Sequence, residues 1–303
     1  GVFALPRRRL TYSVSRGGFF SFCLGAGLVS SGGAAGFFLR RWELSSAFEA
    51  DTGLHIPGSS ATMALIALSA VVALILALAC RGIHRDFPGG YDQAFAAPGN
   101  APYMMGMTAA AFLFLLAGGA SLLELAGTYR TAGSYFTLLP QTLLTALCIA
   151  SGACLFLLGK NNYRAEGRGR YSACLLLPAY TACLWLIVSY QEHSGDPVVL
   201  DYVYQLFAVI ASVLGAYFMA GFAFERAKAF RSVFFSQLAV YFSLVTLADR
   251  HDPAFLLLYS GFLFYFLASG VALLHNVAAQ PAAGGKRLKK SDRSDKEETP
   301  DEG

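Results

Sequence analysis

The sequence predicts an all-α fold: a polytopic membrane helix bundle of about eight transmembrane helices, with the N-terminus and the C-terminus both cytoplasmic. Three observations predict it. Of 303 residues, 55% are hydrophobic and only 14% charged, against about 25% charged in an ordinary soluble domain. The apolar residues gather into stretches long enough for helices to cross about 30 Å of hydrocarbon, which takes about 20 residues. The basic residues fall almost entirely into every second gap between those stretches.

The spans are placed at 17–39, 57–80, 102–125, 135–158, 171–190, 198–223, 231–248 and 254–275. Strands of a membrane barrel need only about 10 residues and alternate polar with apolar, so length decides for helices. Nineteen of the 23 Lys and Arg residues lie in the N-terminal segment (Arg7, Arg8, Arg9, Arg16), in the gaps holding Arg81 and Arg85, Lys160 to Arg170, and Arg226 to Arg231, or in the tail from Lys286 to Lys296. The other gaps hold only Arg40, Arg41, Arg130 and Arg250. This is the positive-inside pattern, and an even number of spans agrees with both ends being cytoplasmic. The chain divides into an N-terminal cytoplasmic segment (1–16), an eight-helix transmembrane domain (17–275) and a disordered, charged cytoplasmic tail (276–303).

The first span follows arginines, as a signal peptide would. Its run is longer than the roughly 7–15 residues of a signal core and no A-x-A site follows, so it reads as an uncleaved span. Its small residues, Gly25, Gly27, Ser30 to Gly33 and Gly36, mark a packing or dimer helix. In the gap after it, Ser46 and Glu49 match a capping box, and Trp42, Leu44 and Phe48 suit an interface. The gap from Arg81 to Ala101 carries Pro88-Gly89-Gly90 and Pro98-Gly99-Asn100; it reads as an ordered, turn-rich loop over the cytoplasmic mouth. Pro140 and Pro178 are expected to kink spans 4 and 5. The hairpin turns Gln191-Glu192-His193 with Asp196-Pro197, and Asp249-Arg250-His251 with Asp252-Pro253, resemble each other. Duplication of a two-helix unit and a chance pair of Asp-Pro helix starts both account for this.

No Asp, Glu, Lys, Arg or His falls in the middle of a predicted span, which argues against a proton relay or a voltage sensor. Mid-span polarity is neutral. Gln141, Thr145, Cys148 and Gly152 share one face of span 4; Asp201, Gln205, Ala208, Ser212 and Gly215 share one face of span 6; Gln237 and Tyr241 share one on span 7. Three such stripes facing one another would line a pocket, with Gln141, Thr145, Gln205, Ser212, Gln237 and Tyr241 as its polar groups. Plain helix packing accounts for the same stripes. The outer gaps collect nine acids and three histidines, His55, His193 and His251. Glu124, His193, Asp201, Asp249 and His251 lie nearest the membrane plane, and form the candidate outer polar cluster. No HxxxH or HExxH spacing exists, so no metal site and no cofactor are expected. The six cysteines form no CxxC pair, and a disulfide framework is not expected. Gly159-Lys160-Asn161 lacks the hydroxyl and the strand that a phosphate loop needs. No GxSxG is present.

Three functional readings follow. The first is a transporter-like protein of a bacterial plasma membrane, handling a neutral or amphipathic small molecule or a lipid through a pocket among spans 4, 6 and 7. The second is a non-catalytic sensor, scaffold or accessory subunit that acts through packing with a partner membrane subunit or a second copy. The third is a membrane enzyme with an outer-face His/carboxylate site. The expected surroundings are a lipid bilayer; nucleic acid is excluded, because the basic residues are loop-end charges and not a patch on a folded domain.

Overall fold

The structure is a computed structural model that describes residues 16–49, 52, 54–81, 83, 87–129, 138–164, 172–195, 198–224 and 226–279, with the backbone alone for 16–26, 28 and 172. Among these residues the regular structure is helical: α1 (Arg16–Ser46), α2 (Ser60–Cys80), α3 (Gly90–Ala94), α4 (Ala101–Thr128), α5 (Leu139–Arg164), α6 (Ser172–His193), α7 (Val199–Ala220), α8 (Ala229–Thr246) and α9 (Pro253–Ala279). A 3-10 turn, Gly221–Phe224, extends α7. Seven helices, α2 and α4 to α9, are long and apolar enough to cross a membrane. The chain is therefore a multi-pass membrane protein set in a lipid bilayer. The eighth expected span, 17–39, is helical within α1, but most of its side chains before Gly27 lie outside the described residues. So do the N-terminal segment 1–15 and the tail from 280 onward.

Successive membrane-spanning helices run antiparallel, as their short connections require. The helix α8 is the centre of the bundle. It packs against α1, α2, α7 and α9, and 67% of its span is buried, against 22% for α2. Around it, α4 packs on α5 and α9, α5 on α4 and α6, and α6 on α7. Large apolar side chains turned outward on α2 and α4, such as Met63, Leu74, Phe112 and Leu123, face the bilayer. Inside, Trp185 is fully buried and stacks on Phe262 at 5.5 Å, with Tyr259 edge-on at 4.5 Å and Phe114 against Phe262 at 4.8 Å.

Small residues set the helix approaches. A Cβ at Gly36 would lie 2.7 Å from Val245, and one at Gly152 would lie 2.9 Å from the Ala111 carbonyl. The α1 glycines Gly32, Gly33 and Gly36 face Val72 of α2 and Tyr241, Leu244 and Val245 of α8. Gly32, Gly33 and Gly36 thus serve packing within the chain.

Three local expectations are corrected. The helix α1 does not stop at 39 but runs to Ser46, so Arg40 to Glu43 are helical. Ser46 is consequently the end of a helix and not a cap at a helix start: its hydroxyl donates to the Trp42 carbonyl at 2.7 Å, while Glu49 accepts from the Thr52 hydroxyl at 2.6 Å. Pro140 sits at the second position of α5, where a missing N–H breaks no helical bond. Only Pro178 lies inside its helix.

Residues 87–100, between α2 and α4, fold across one end of the bundle. Phe95 is fully buried against Phe222 at 5.4 Å and stacked on Tyr91 at 4.7 Å. The Asn162 amide donates to the Tyr91 and Tyr103 hydroxyls at 3.0 and 2.8 Å, and the Asn276 amide donates to the carbonyls of Ala94 and Ala96 at 2.8 and 2.9 Å. The carbonyls of Asn162 and Tyr163 accept from the N–H groups of Ala97 and Gly99, each at 3.2 Å. Gly90, at φ 63°, lets the loop meet the Phe222 carbonyl, 3.1 Å from where a Cβ would stand. This is the Asn162 end. The other end of the bundle is defined by Arg40.

Candidate functional site

Buried positions along α1 and just past its end recur as Val29, Gly32, Gly33, Gly36, Arg40, Glu43 and Ala47. That is one helical face, and the glycine stripe runs straight into two charged residues. Both are fully buried. The Arg40 guanidinium donates through Nε to Asp249 Oδ1 at 2.6 Å and through Nη1 to Glu43 Oε2 at 2.8 Å and to the Leu200 carbonyl at 3.2 Å. Nη2 donates to the Asp201 carbonyl, and the Tyr204 ring lies 5.2 Å from Cζ. One side chain thus joins α1 to the first turn of α7 and to the turn between α8 and α9.

The second layer orients Asp249. Its Oδ2 accepts from the Thr246 hydroxyl at 2.9 Å, and its N–H donates to the Thr246 carbonyl at 2.9 Å. His251 Nε2 donates to that same carbonyl at 2.6 Å, so the neutral ring carries its proton on Nε2. The ring packs on Tyr259 at 4.7 Å. Burial pushes the Asp249 carboxyl above its ordinary value, against the pull of Arg40 and the Thr246 hydroxyl. Burial pushes the His251 imidazole below its ordinary value, against its bond to the Thr246 carbonyl and the nearby charge of Asp249.

Charge does not balance here. One guanidinium serves two carboxylates, and Glu43 Oε1 is buried with no hydrogen-bond partner among the described residues. A buried ion pair adds little net stability over an apolar core of the same shape, whereas removing one partner costs about 3–5 kcal/mol. The arrangement links chain segments 160 to 209 residues apart.

The outer cluster expected from sequence is brought together in part. Asp249 and His251 are at its heart. Asp201 takes part through its backbone carbonyl, while its side chain is exposed. His193 stands apart: its Nδ1 is 2.8 Å from the Ser189 carbonyl and its ring is 4.5 Å from Tyr202. Glu192 shares its electrostatic surroundings with His193, Asp252 and Glu124, which places exposed Glu124 on this rim. His193 on Tyr202 and His251 on Tyr259 are alike in arrangement, each ring also meeting a preceding carbonyl. His55 belongs elsewhere, with Nε2 2.9 Å from Thr62 Oγ1. Among the described residues no group of three or more His, Cys, Asp or Glu side chains is disposed to hold a metal. Cys80, Cys148, Cys154, Cys174 and Cys183 are free.

The expected pocket residues are dispersed. Gln141 and Thr145 sit on α5, which packs on α4 and α6 and not substantially on α7 or α8. The Thr145 hydroxyl donates to the Gln141 carbonyl at 2.8 Å and the Ser212 hydroxyl to the Ala208 carbonyl at 2.7 Å, both within their own helices. Gln205 is half-buried, and its carbonyl accepts from the Tyr259 hydroxyl at 3.5 Å. Tyr241 is 3.0 Å from the Ser69 hydroxyl. Only Gln237 is buried with both amide atoms unpartnered among the described residues. The three stripes do not face a common space, because α5 lies across α4 and α6 from α8.

Fold and site together define a multi-pass helical membrane protein with a buried ion cluster at one end. No protein-family model, no curated protein and no solved structure matches the chain.

Proposed function

We propose that the protein is a transporter-like carrier of a bacterial plasma membrane. In this reading the Arg40 end faces outward and the Asn162 end faces the cytoplasm, as the distribution of basic residues favours. The observation that carries it is the buried Arg40 cluster. Ionisable groups held inside a membrane protein are expensive, and they mark pathways and gates more often than plain packing. The cluster joins three segments by contacts that can break as a unit, and the bundle is closed at its other end by a separate network. Two closures with α8 between them are what alternating access requires. The small molecule would move along α8, α7 and α9 and not past α5.

Cysteine accessibility tests this. With the native cysteines replaced, Ser243→Cys sits buried on α8, three residues before Thr246 in the cluster. A membrane-impermeant maleimide should reach it from the Arg40 side of oriented vesicles, and Arg40→Gln should raise the labelling while the protein still unfolds cooperatively. If neither protein labels from either side, the bundle is static and the carrier reading fails. A second reading is a non-catalytic sensor or accessory subunit. The placing of His251 beside Asp249 favours it, since a proton there would loosen the same link. It predicts labelling that changes with pH on the Arg40 side only.

A further inference from the structure

The most enclosed helix is also the least apolar of the seven that can cross a membrane. Along α8, Ser232, Ser236, Gln237, Ser243 and Thr246 are all fully buried. Gln237 stands at its middle. Both of its amide atoms lack a hydrogen-bond partner among the described residues, as do the hydroxyls of Ser232 and Ser243. An amide can donate two hydrogen bonds and accept two, and in a membrane interior no bulk water supplies them.

Opposite Gln237 is Gly270 of α9. A Cβ there would lie 2.6 Å from Gln237 Nε2 and 3.3 Å from Ser236 Oγ. The glycine is what allows the amide to lie against the α9 backbone. Neither helix carries a charge here: the sequence has no Asp, Glu, Lys, Arg or His from 232 to 248 or from 254 to 274. Ser236 is already engaged, donating to the Val233 carbonyl at 3.0 Å, and the neighbouring Ser269 hydroxyl donates to Met107 Sδ at 3.7 Å. Gln237 is thus left, among the described residues, with a free donor beside a free acceptor in a neutral setting.

We infer that Gln237, between α8 and Gly270 of α9, is a binding site for a neutral molecule that presents a hydrogen-bond donor and an acceptor side by side, as a carboxamide or a urea does. Two amides paired in this way satisfy each other, and an ion is disfavoured because nothing nearby would balance its charge. The site's existence does not depend on the carrier reading, although its use in transport does.

The test uses the full chain in lipid nanodiscs, with acetamide as the probe and N,N-dimethylacetamide, which cannot donate, as its control. The thermal unfolding midpoint should rise saturably with acetamide. Gln237→Met keeps the volume and removes the hydrogen bonds, and should weaken the response about tenfold or more. Gln237→Asn should weaken it less. N,N-dimethylacetamide should have no saturable effect on the wild type. Equal responses of wild type and Gln237→Met overturn the proposal, and so does an amide satisfied by water alone, which gives no saturable response in either. Should Gln237→Met fail to fold, Gly270→Ala replaces it; its methyl occupies the space against Nε2, and the same comparison applies. Saturable binding without two-sided cysteine labelling keeps the site and removes the carrier.

Discussion

At the Arg40 end, charged side chains are drawn from the rim into the bundle and paired inside it. At the Asn162 end, neutral amides, phenols and aromatic rings fasten a loop across the opening. Both ends bring together segments far apart in sequence, but their failure modes differ. An ion cluster is held by mutual compensation, so the loss of one member leaves a buried charge exposed to nothing. A neutral network loses its bonds one at a time, each worth about 1 kcal/mol. Losing one partner should therefore cost more at the Arg40 end than at the Asn162 end.

The largest effect should come from Arg40→Met. Leaving Asp249 and Glu43 buried without their partner should cost about 3–5 kcal/mol, read as a shift in the unfolding midpoint in detergent. The triple variant Arg40→Met, Glu43→Leu, Asp249→Leu should regain most of that loss. If the triple variant is no more stable than the single one, charge compensation is not what holds this end.

Asn162→Leu is the matching test at the other end. It removes the two bonds donated to the Tyr91 and Tyr103 hydroxyls, but also the Asn162 Oδ1 atom, which is buried without a partner among the described residues. The net loss should be about 1–2 kcal/mol, and it should not change with pH. A loss as large as that of Arg40→Met would erase the distinction between the ends.

The bundle was legible in the sequence because hydrophobic length and basic spacing are local signals. The turns within 87–100 were legible for the same reason, through Pro88-Gly89-Gly90 and Pro98-Gly99-Asn100. The Arg40 cluster was not. Arg40 was counted among loop charges because hydropathy falls at 40, although the 3.6-residue repeat continues from Gly32, Gly33 and Gly36 through Arg40 and Glu43 to Ala47. That continuation was the available signal. Asp249 and His251 could be singled out near the membrane plane, but their partner could not, since 209 residues separate Arg40 from Asp249. Gln237 was singled out by its mid-span position. Its separation from Gln141 follows from the placing of α5 against α4, which a stripe on one helix does not encode.

Gly90→Ala probes how tightly the loop is seated. The residue combines φ 63° with a carbonyl 3.1 Å from the new methyl. Left-handed backbone costs a residue with a Cβ about 1–2 kcal/mol, and the Phe222 carbonyl must also shift. The loss should be of that order and confined to this end, so hydrogen exchange should rise in 87–100 and stay unchanged around Asp249. Faster exchange at both ends would show that the closures are mechanically coupled.

The smallest effect is the dependence of the Arg40 end on pH. Its groups are Arg40 and Glu43 from α1, Glu192 and His193 from α6, Tyr204 from α7, Asp249, His251 and Asp252 from the turn, and Tyr259 from α9. Burial holds the His251 imidazole below its ordinary 6.5, so an opened chain takes up a proton first as the pH falls through 6.5. Stability is then lost from 6.5 down to the folded value of His251. Asp249 works in the opposite sense. Burial raises its carboxyl above 3.8, so the folded form binds that proton first, and stability is regained as the pH falls on towards 3.8. The protonated Asp249 no longer balances Arg40, so the Arg40 link is weaker even where the fold is more stable. His251→Gln keeps an N–H for the Thr246 carbonyl and cannot titrate. It should flatten the change around 6.5 and leave the acid limb in place. Exchange rates near Thr246 and Leu200, measured against pH in both proteins, would show this; an identical profile in the variant would mean that another group at this end sets the response.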